Sequence, residues 1–326
     1  MRRGIALFAA FVLLLILGLF SLRSGAVTVP FSDLWSSLLG HDTPSSYIVL
    51  QYRLPRVLTA ILAGSGLAAA GVILQSLIRN PLASPDVIGI TKGAGFTAAA
   101  VIFLFPGSPS YVLPLAAFGG AIAAMLLLLL LSKRMTLSPA SFALVGVALG
   151  AVFQAGIQYL LVKHPSNINM TLLWMSGSLW GRGWEIALSL LPWIVVLLPV
   201  AWLQYRRLDV LQLGDEGGTA LGISLRPARI GLLLLAVALT GSSVAAVGSI
   251  GFIGLISPHI ARLIAGGRHQ WMVPLSALIG ADLLLLGDWL GRLIIIPREV
   301  PVGIMTAVIG APYFIYLLRR ERKRRA

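Results

Sequence analysis

Apolar runs long enough to cross a bilayer recur along the whole chain, separated by short polar stretches or by stretches broken with proline and glycine. A helix needs about 20 mostly apolar residues to span the hydrocarbon layer. Ten segments meet or approach that length: 4–22, 54–76, 90–106, 112–132, 141–162, 186–204, 229–249, 251–265, 274–296 and 303–318. The segment 251–265 is the shortest of them. The pattern predicts an all-α polytopic membrane protein of about ten transmembrane helices, with residues 1–326 forming a single transmembrane domain.

Two polar connections stand out. Residues 23–52 contain FSDLWSSLLG, which reads as a short surface helix capped by Asp33 after Ser32, with Trp35 at the interface. Residues 205–228 read YRRLDVLQLGDEGGTALGISLRPA, two short helical stretches broken at Gly214–Gly218 and at Gly222.

Composition agrees with the pattern. Hydrophobic residues make up 58% of the chain and charged residues 11%, with a mean hydropathy of +0.92. A soluble domain carries about 25% charged residues. The net charge of +14 invites a nucleic-acid reading until the basic residues are sorted by side. With the N-terminus inside, 18 of the 25 Lys and Arg fall in cytoplasmic positions and 7 outside, which is the positive-inside rule. The tail at 319–326, within RRERKRRA, then reads as a cytoplasmic anchor near anionic lipid. The absence of cysteine excludes disulfides and thiolate metal sites. The first 26 residues resemble a signal peptide, but an uncleaved first span fits a chain whose remainder is also membrane.

A weak internal repeat runs through the chain. GSGLAAAG at 64–71 returns as GSSVAAVG at 241–248, five of eight positions identical. Each follows an arginine–proline cluster, RLPR at 53–56 and RPAR at 226–229, and VALGAVF at 147–153 resembles AVIGAPYF at 307–314. By the charge count the copies enter from opposite sides, an inverted-topology repeat of the kind found in transporters. Gly89/Gly93, Gly146/Gly150 and Gly287/Gly291 sit four apart and suit close helix packing.

Several chemistries are missing. No G-x-x-x-x-G-K-[ST] motif occurs, and His41, His164, His259 and His269 lack metal-ligand spacing. Neither a nucleophile elbow nor a zinc-protease motif is present. The chain is expected not to be an enzyme, and to bind no cofactor or metal itself. Asp282 and Asp288 lie in an apolar span. A proton or cation relay is one reading; partnering with Arg292, or with backbone freed by neighbouring glycines, is the other and the preferred one. Pro81 and Pro85 break RNPLASPDVIG at 79–89, either as a bent segment beside a pathway or as an ordinary loop. GFIGLISPHIARL at 251–263 is a second broken segment, with His259 expected in a helix-end hydrogen bond. Arg53, Arg56 and Arg292 share the outer rim, where they either receive carboxylates from a docking protein or snorkel to lipid phosphate; Asp288, four residues before Arg292, is a further partner for that arginine.

Taken in order, RLPR at 53–56, G-x-x-L-A-x-x-G-x-x-x-Q at 64–75, RNPLASPDVIG at 79–89, GVALG at 146–150, LGDEGGTALGI at 213–223, GFIGLISPHIAR at 251–262 and GAPYFIYLL at 310–318 resemble the FecCD family of ABC-importer permeases. That family includes the vitamin B12 and ferric-siderophore importers. The resemblance implies a dimer around a central pathway, with a second permease subunit, identical or sister. It also implies two cytoplasmic ATPase subunits that hold the ATP and Mg, an external substrate-binding protein, and residence in a bacterial cytoplasmic membrane with both termini inside.

The residues matching the family's docking arginines are Arg53, Arg56 and Arg292. Those matching its coupling segment are Leu213, Gly214, Asp215, Gly218, Ala220, Leu221 and Gly222. The pathway is expected along the helix at 141–162, near Gly146, Gly150, Gln154 and Gln158, and beside Asn80, Pro81 and Pro85. The implied cargo is a ferric siderophore, with cobalamin or haem as alternatives. An ion-coupled secondary transporter using Asp282, and a membrane anchor or sensor that transports nothing, are the competing readings.

Overall fold

The computed structural model describes residues 2–25, 27–132, 139–165, 168–221 and 224–325. Those residues form fourteen α-helices: α1 Arg2–Arg23, α2 Phe31–Leu38, α3 Leu54–Ile78, α4 Ile90–Leu104, α5 Val112–Ser132, α6 Pro139–Lys163, α7 Ile168–Met175, α8 Trp184–Leu203, α9 Tyr205–Gln212, α10 Asp215–Ala220, α11 Leu225–Val247, α12 Ile253–Ala265, α13 His269–Leu293 and α14 Val302–Arg325. A helix stands at each of the ten expected segments, as α1, α3, α4, α5, α6, α8, α11, α12, α13 and α14. Among the described residues seven spans are long and apolar enough to cross a membrane, and α4, α12 and the apolar part of α14 are shorter.

α3 is the central helix. It is apolar all round and nearly every side chain on it is buried, as a helix surrounded by other helices requires. Lipid tails are as apolar as leucine, so helices in a bilayer are held by close packing rather than by expulsion of apolar surface from water. Glycine supplies the closeness. A Cβ on Gly64 would collide with the backbone of Gly280 on α13, and one on Gly71 with the backbone of Gly254 on α12.

The two copies of the repeat lie side by side. Gly66 of α3 backs onto Ser243 and Leu239 of α11. α3 ends at Arg79, which pairs with Asp215, and Asp215 pairs with Arg229 at the start of α11. α11 therefore starts where α3 ends and runs the opposite way, matching the inverted repeat read from sequence.

The short surface helix departs from expectation in one detail. α2 begins after Pro30, with no side-chain cap. Asp33 instead accepts from Ser32 Oγ at 3.3 Å and Ser45 Oγ at 3.2 Å, tying α2 to the following loop. Ahead of α3, residues Ile48–Arg53 wind as π-helical turns that run straight into it.

Candidate functional site

Candidate functional side chains gather at the two ends of α3. At its start, Pro55 occupies the first turn, where no helical N–H partner is needed, and Arg53 and Arg56 flank it. Arg53 is 7% exposed; its Nη1 donates to Leu22 O at 2.7 Å and Arg23 O at 2.8 Å, and its Nη2 to Val27 O. Arg292 enters the same space from α13, donating through Nη1 to Ser24 O at 2.9 Å and Ser21 O at 3.1 Å. Arg56 forks onto Asp288, with Nε at 3.0 Å and Nη2 at 2.7 Å from Oδ1, and also reaches Glu299 at 2.8 Å. Arg292 Nε lies 3.2 Å from Asp288 Oδ2.

The three arginines thus share one end, as expected, and the Asp288–Arg292 pair forms. They are turned inward, however, and the Arg56–Asp288 fork joins residues 232 apart in sequence. Asp282 corrects the preferred reading. Its Oδ1 is buried and has no hydrogen-bond partner among the described residues, and Arg292 pairs with Asp288 instead.

A cleft of about 500 Å³ opens beside this cluster, lined by Arg53, Arg56, Arg292 and Glu299 together with Trp180 and Arg182 from the loop before α8.

At the far end of α3, Arg79 takes a left-handed conformation (φ 54°) that stops the helix. Its Nε donates to Leu211 O at 3.1 Å, and its guanidinium pairs with Asp215. Arg229 Nη2 meets the same carboxylate at 2.6 Å. Partial desolvation opposes ionisation of Asp215, but hydrogen bonds and charge from Arg229 and Arg79 outweigh it and hold the carboxyl below its ordinary value. α9 and α10 hang from these contacts. Leu213, Ala220 and Leu221 are exposed, while Gly218 is buried beneath Leu225. The break between the two helices falls at Leu213–Gly214, with Gly214 at φ 101°, and Gly217 and Gly218 lie inside α10 rather than in the break. Gly222 lies outside the described residues.

A second link at this end escaped the sequence. His269, fully buried at the start of α13, has Nδ1 2.6 Å from Asp209 Oδ1 on α9 and Nε2 2.7 Å from Ser76 Oγ on α3. Its backbone N donates to Asp209 at 3.0 Å. One imidazole therefore fastens α9 to two core helices. Ser76, Asp209 and His269 stand far apart in sequence, so no spacing rule finds them.

Between the two ends the broken segments meet. Pro85 Cδ lies 3.0 Å from the position of a Cβ on Gly254, so segment 79–89 packs on the start of α12. Gly89, at φ 82°, fits flush against Gly146 and Gly150 of α6. Asn80 is exposed and accepts from Leu82 N at 2.9 Å; Pro81 is half-buried and Pro85 buried. On α6, Gln154 is half-buried and Gln158 is exposed, on a face shared with Leu144, Val147, Val152, Tyr159 and Val162. A second open cleft of about 670 Å³ lies among Asp86, Ser249, Phe252 and Ala307. His259 sets its ring edge-on to Tyr313, 6.1 Å between centroids. No group of three metal-ligating side chains occurs among the described residues.

The sequence profile described as the FecCD transport family matches residues 13–320. The chain is 51% identical over 323 residues to the Fe(3+)-citrate import system permease protein YfmE of Bacillus subtilis (strain 168), covering 99% of this chain and 97% of that protein. It is 46% identical over 309 residues to the Fe(3+) dicitrate transport system permease protein FecD of Escherichia coli (strain K12), covering 93% and 95%. A solved inward-facing conformation of a metal-chelate type ABC transporter superposes with a TM-score of 0.87 at 32% identity, covering 96% of this chain and 98% of that one.

Proposed function

Because the chain belongs to the FecCD transport family, we propose that it is the membrane-spanning permease subunit of an ATP-binding-cassette importer, and that it passes a ferric chelate inward. The near full-length identity to permeases of ferric citrate systems carries this reading and favours a carboxylate-type ferric chelate as cargo. Haem is the weaker alternative; a relative named for hemin is 38% identical.

The arginine end of α3 faces outward and receives a loaded binding protein around Arg53, Arg56 and Arg292. The α9–α10 end faces the cytoplasm and rests on an ATPase subunit, with Leu213, Ala220 and Leu221 as its exposed contacts. Both termini are cytoplasmic. A second permease copy, identical or sister, meets the exposed face of α6, and cargo passes between the two. ATP and Mg belong to the two ATPase subunits.

The geometry supports a mechanical route. Closure of the ATPase pair displaces α9 and α10. Asp215 carries that displacement to Arg79 at the end of α3, and Asp209 carries it through His269 to α13 and Ser76. The glycine contacts of α3 admit no slack, so movement reaches α12 through Gly71–Gly254 and segment 79–89 through Gly254–Pro85. Gly146 and Gly150 pass it to α6, which lines the pathway.

An ion-coupled carrier has one observation on its side, the unpartnered Asp282 oxygen. The natural chain lacks cysteine, so single-cysteine variants report orientation cleanly. Leu221→Cys is expected to react with an impermeant thiol reagent only from the cytoplasmic side, and to cross-link to the ATPase. Arg298→Cys, on the exposed loop after α13, should react only from outside. The opposite pattern would overturn the assignment of the two ends.

A further inference from the structure

The cleft at the arginine end carries more positive charge than its own carboxylates balance. Arg53, Arg56, Arg182 and Arg292 line it, and Glu299 is the acidic residue among the lining. Glu299 is engaged by Arg56, and Asp288 behind it by Arg56 and Arg292. Arg53 and Arg182 form no ion pair among the described residues. Arg53 is saturated by three backbone carbonyls. Arg182 has a single long bond, Nε to Ser178 O at 3.4 Å.

Burial alone lowers the affinity of the Arg182 guanidinium for its proton, yet a guanidinium stays charged in a protein. A desolvated cation without a counter-charge is costly. It fits a place where a ligand brings that counter-charge. Low-dielectric walls around a single sign of charge also concentrate anions from solution. A guanidinium fork matches a carboxylate bidentately, and a cleft of about 500 Å³ has the size of small-ligand sites. It is larger than one acidic side chain of a docking protein would fill, and Arg53 sits deep in its wall. The exposed indole of Trp180 borders it.

We propose that this cleft is a receiving site for an anionic polycarboxylate chelate of iron, and that Arg182 is the residue that grips it on release from the binding protein. The inference rests on the importer reading above and adds to it a cargo site and a specificity-determining residue.

The test uses the assembled permease–ATPase complex in nanodiscs with no binding protein present. Equilibrium dialysis against radiolabelled ferric citrate measures direct binding. The wild type is expected to bind saturably, and Arg182→Gln at least about tenfold more weakly. A neutral ferric trihydroxamate should bind both alike. Arg182→Gln should still assemble with the ATPase. Should that variant fail to assemble, Arg182→Lys decides, since it keeps the charge and loses the fork; several-fold weaker binding is expected.

Equal ferric citrate binding by wild type and variant would overturn the site, as would no saturable binding by the wild type up to about 1 mM. A variant that binds ferric citrate normally but loses binding-protein docking would reassign Arg182 to that partner and also overturn it. If ATP-driven uptake by the wild type is intact while these arms fail, the site alone falls. If the wild type with its partners takes up no ferric chelate, the importer reading falls.

Discussion

The Nδ1 atom of His269 stands 2.6 Å from the Asp209 carboxylate, and the ring's other nitrogen reaches Ser76 at 2.7 Å. This places a buried imidazole between α9 and the helix at the centre of the bundle. His269→Ala removes both bonds and leaves the Ser76 hydroxyl facing a void. A lost buried hydrogen-bond partner costs about 1–3 kcal/mol, enough to loosen the joint without unfolding a bundle this extensive. Uptake per ATP hydrolysed should fall several-fold, with assembly and hydrolysis retained. An unchanged ratio would remove His269 from the transmission route.

At the other end, Asp288 separates two guanidiniums that would otherwise face each other. Asp288→Ala leaves Arg56 and Arg292 buried without it, and breaking a buried pair in this way costs about 3–5 kcal/mol. Thermal unfolding in detergent should show a large loss for Asp288→Ala and a small one for the more exposed Glu299→Gln. Similar losses for both variants would contradict this division.

Helix packing gives a sharper contrast. Gly64→Ala and Gly71→Ala force a methyl group into the backbone of α13 or α12, and overpacking of this kind costs about 1–3 kcal/mol. Gly231→Ala, which meets nothing within 4 Å, is the matched control on α11. Expression and melting temperature should drop for the first two and hold for the third. Equal behaviour of all three would deny the close approach of α3 to its neighbours.

Asp282 separates the two energy sources. If ATP drives transport, Asp282→Asn keeps the shape and removes only an ionisable group, so ATP-driven uptake in liposomes should remain near the wild-type level. Complete loss of uptake with a folded, assembled complex would favour ion coupling through that carboxyl.

Much of this architecture was legible in the chain. Span positions follow from the length of apolar runs, and the antiparallel placement of α3 and α11 follows from the repeated GSGLAAAG and GSSVAAVG. The break at 79–89 announced itself through Pro81 and Pro85, whereas Pro258 lies inside the continuous helix α12 and the expected break in 251–263 falls ahead of it at Phe252. What stayed hidden was pairing across the bundle. Arg56 shares an end of the bundle with Arg53 and Arg292, but its partner Asp288 lies 232 residues away. His269 looked like one more scattered histidine because its two partners sit on helices it meets only after folding. α7 gave little signal of its own, because INMTLLWM is too short for a span. The expected cap of α2 by Asp33 failed because Pro30 takes the capping position and Ser45 takes the carboxylate.

The chain is proposed to be a gate moved by ATP hydrolysis in a neighbouring subunit. The most direct test is uptake of radiolabelled ferric citrate into liposomes in the presence of a loaded binding protein, measured with the permease alone and with its ATPase subunits added. Accumulation should require the ATPase and ATP, and should be indifferent to an imposed proton or sodium gradient. Accumulation by the permease alone under such a gradient would contradict the account.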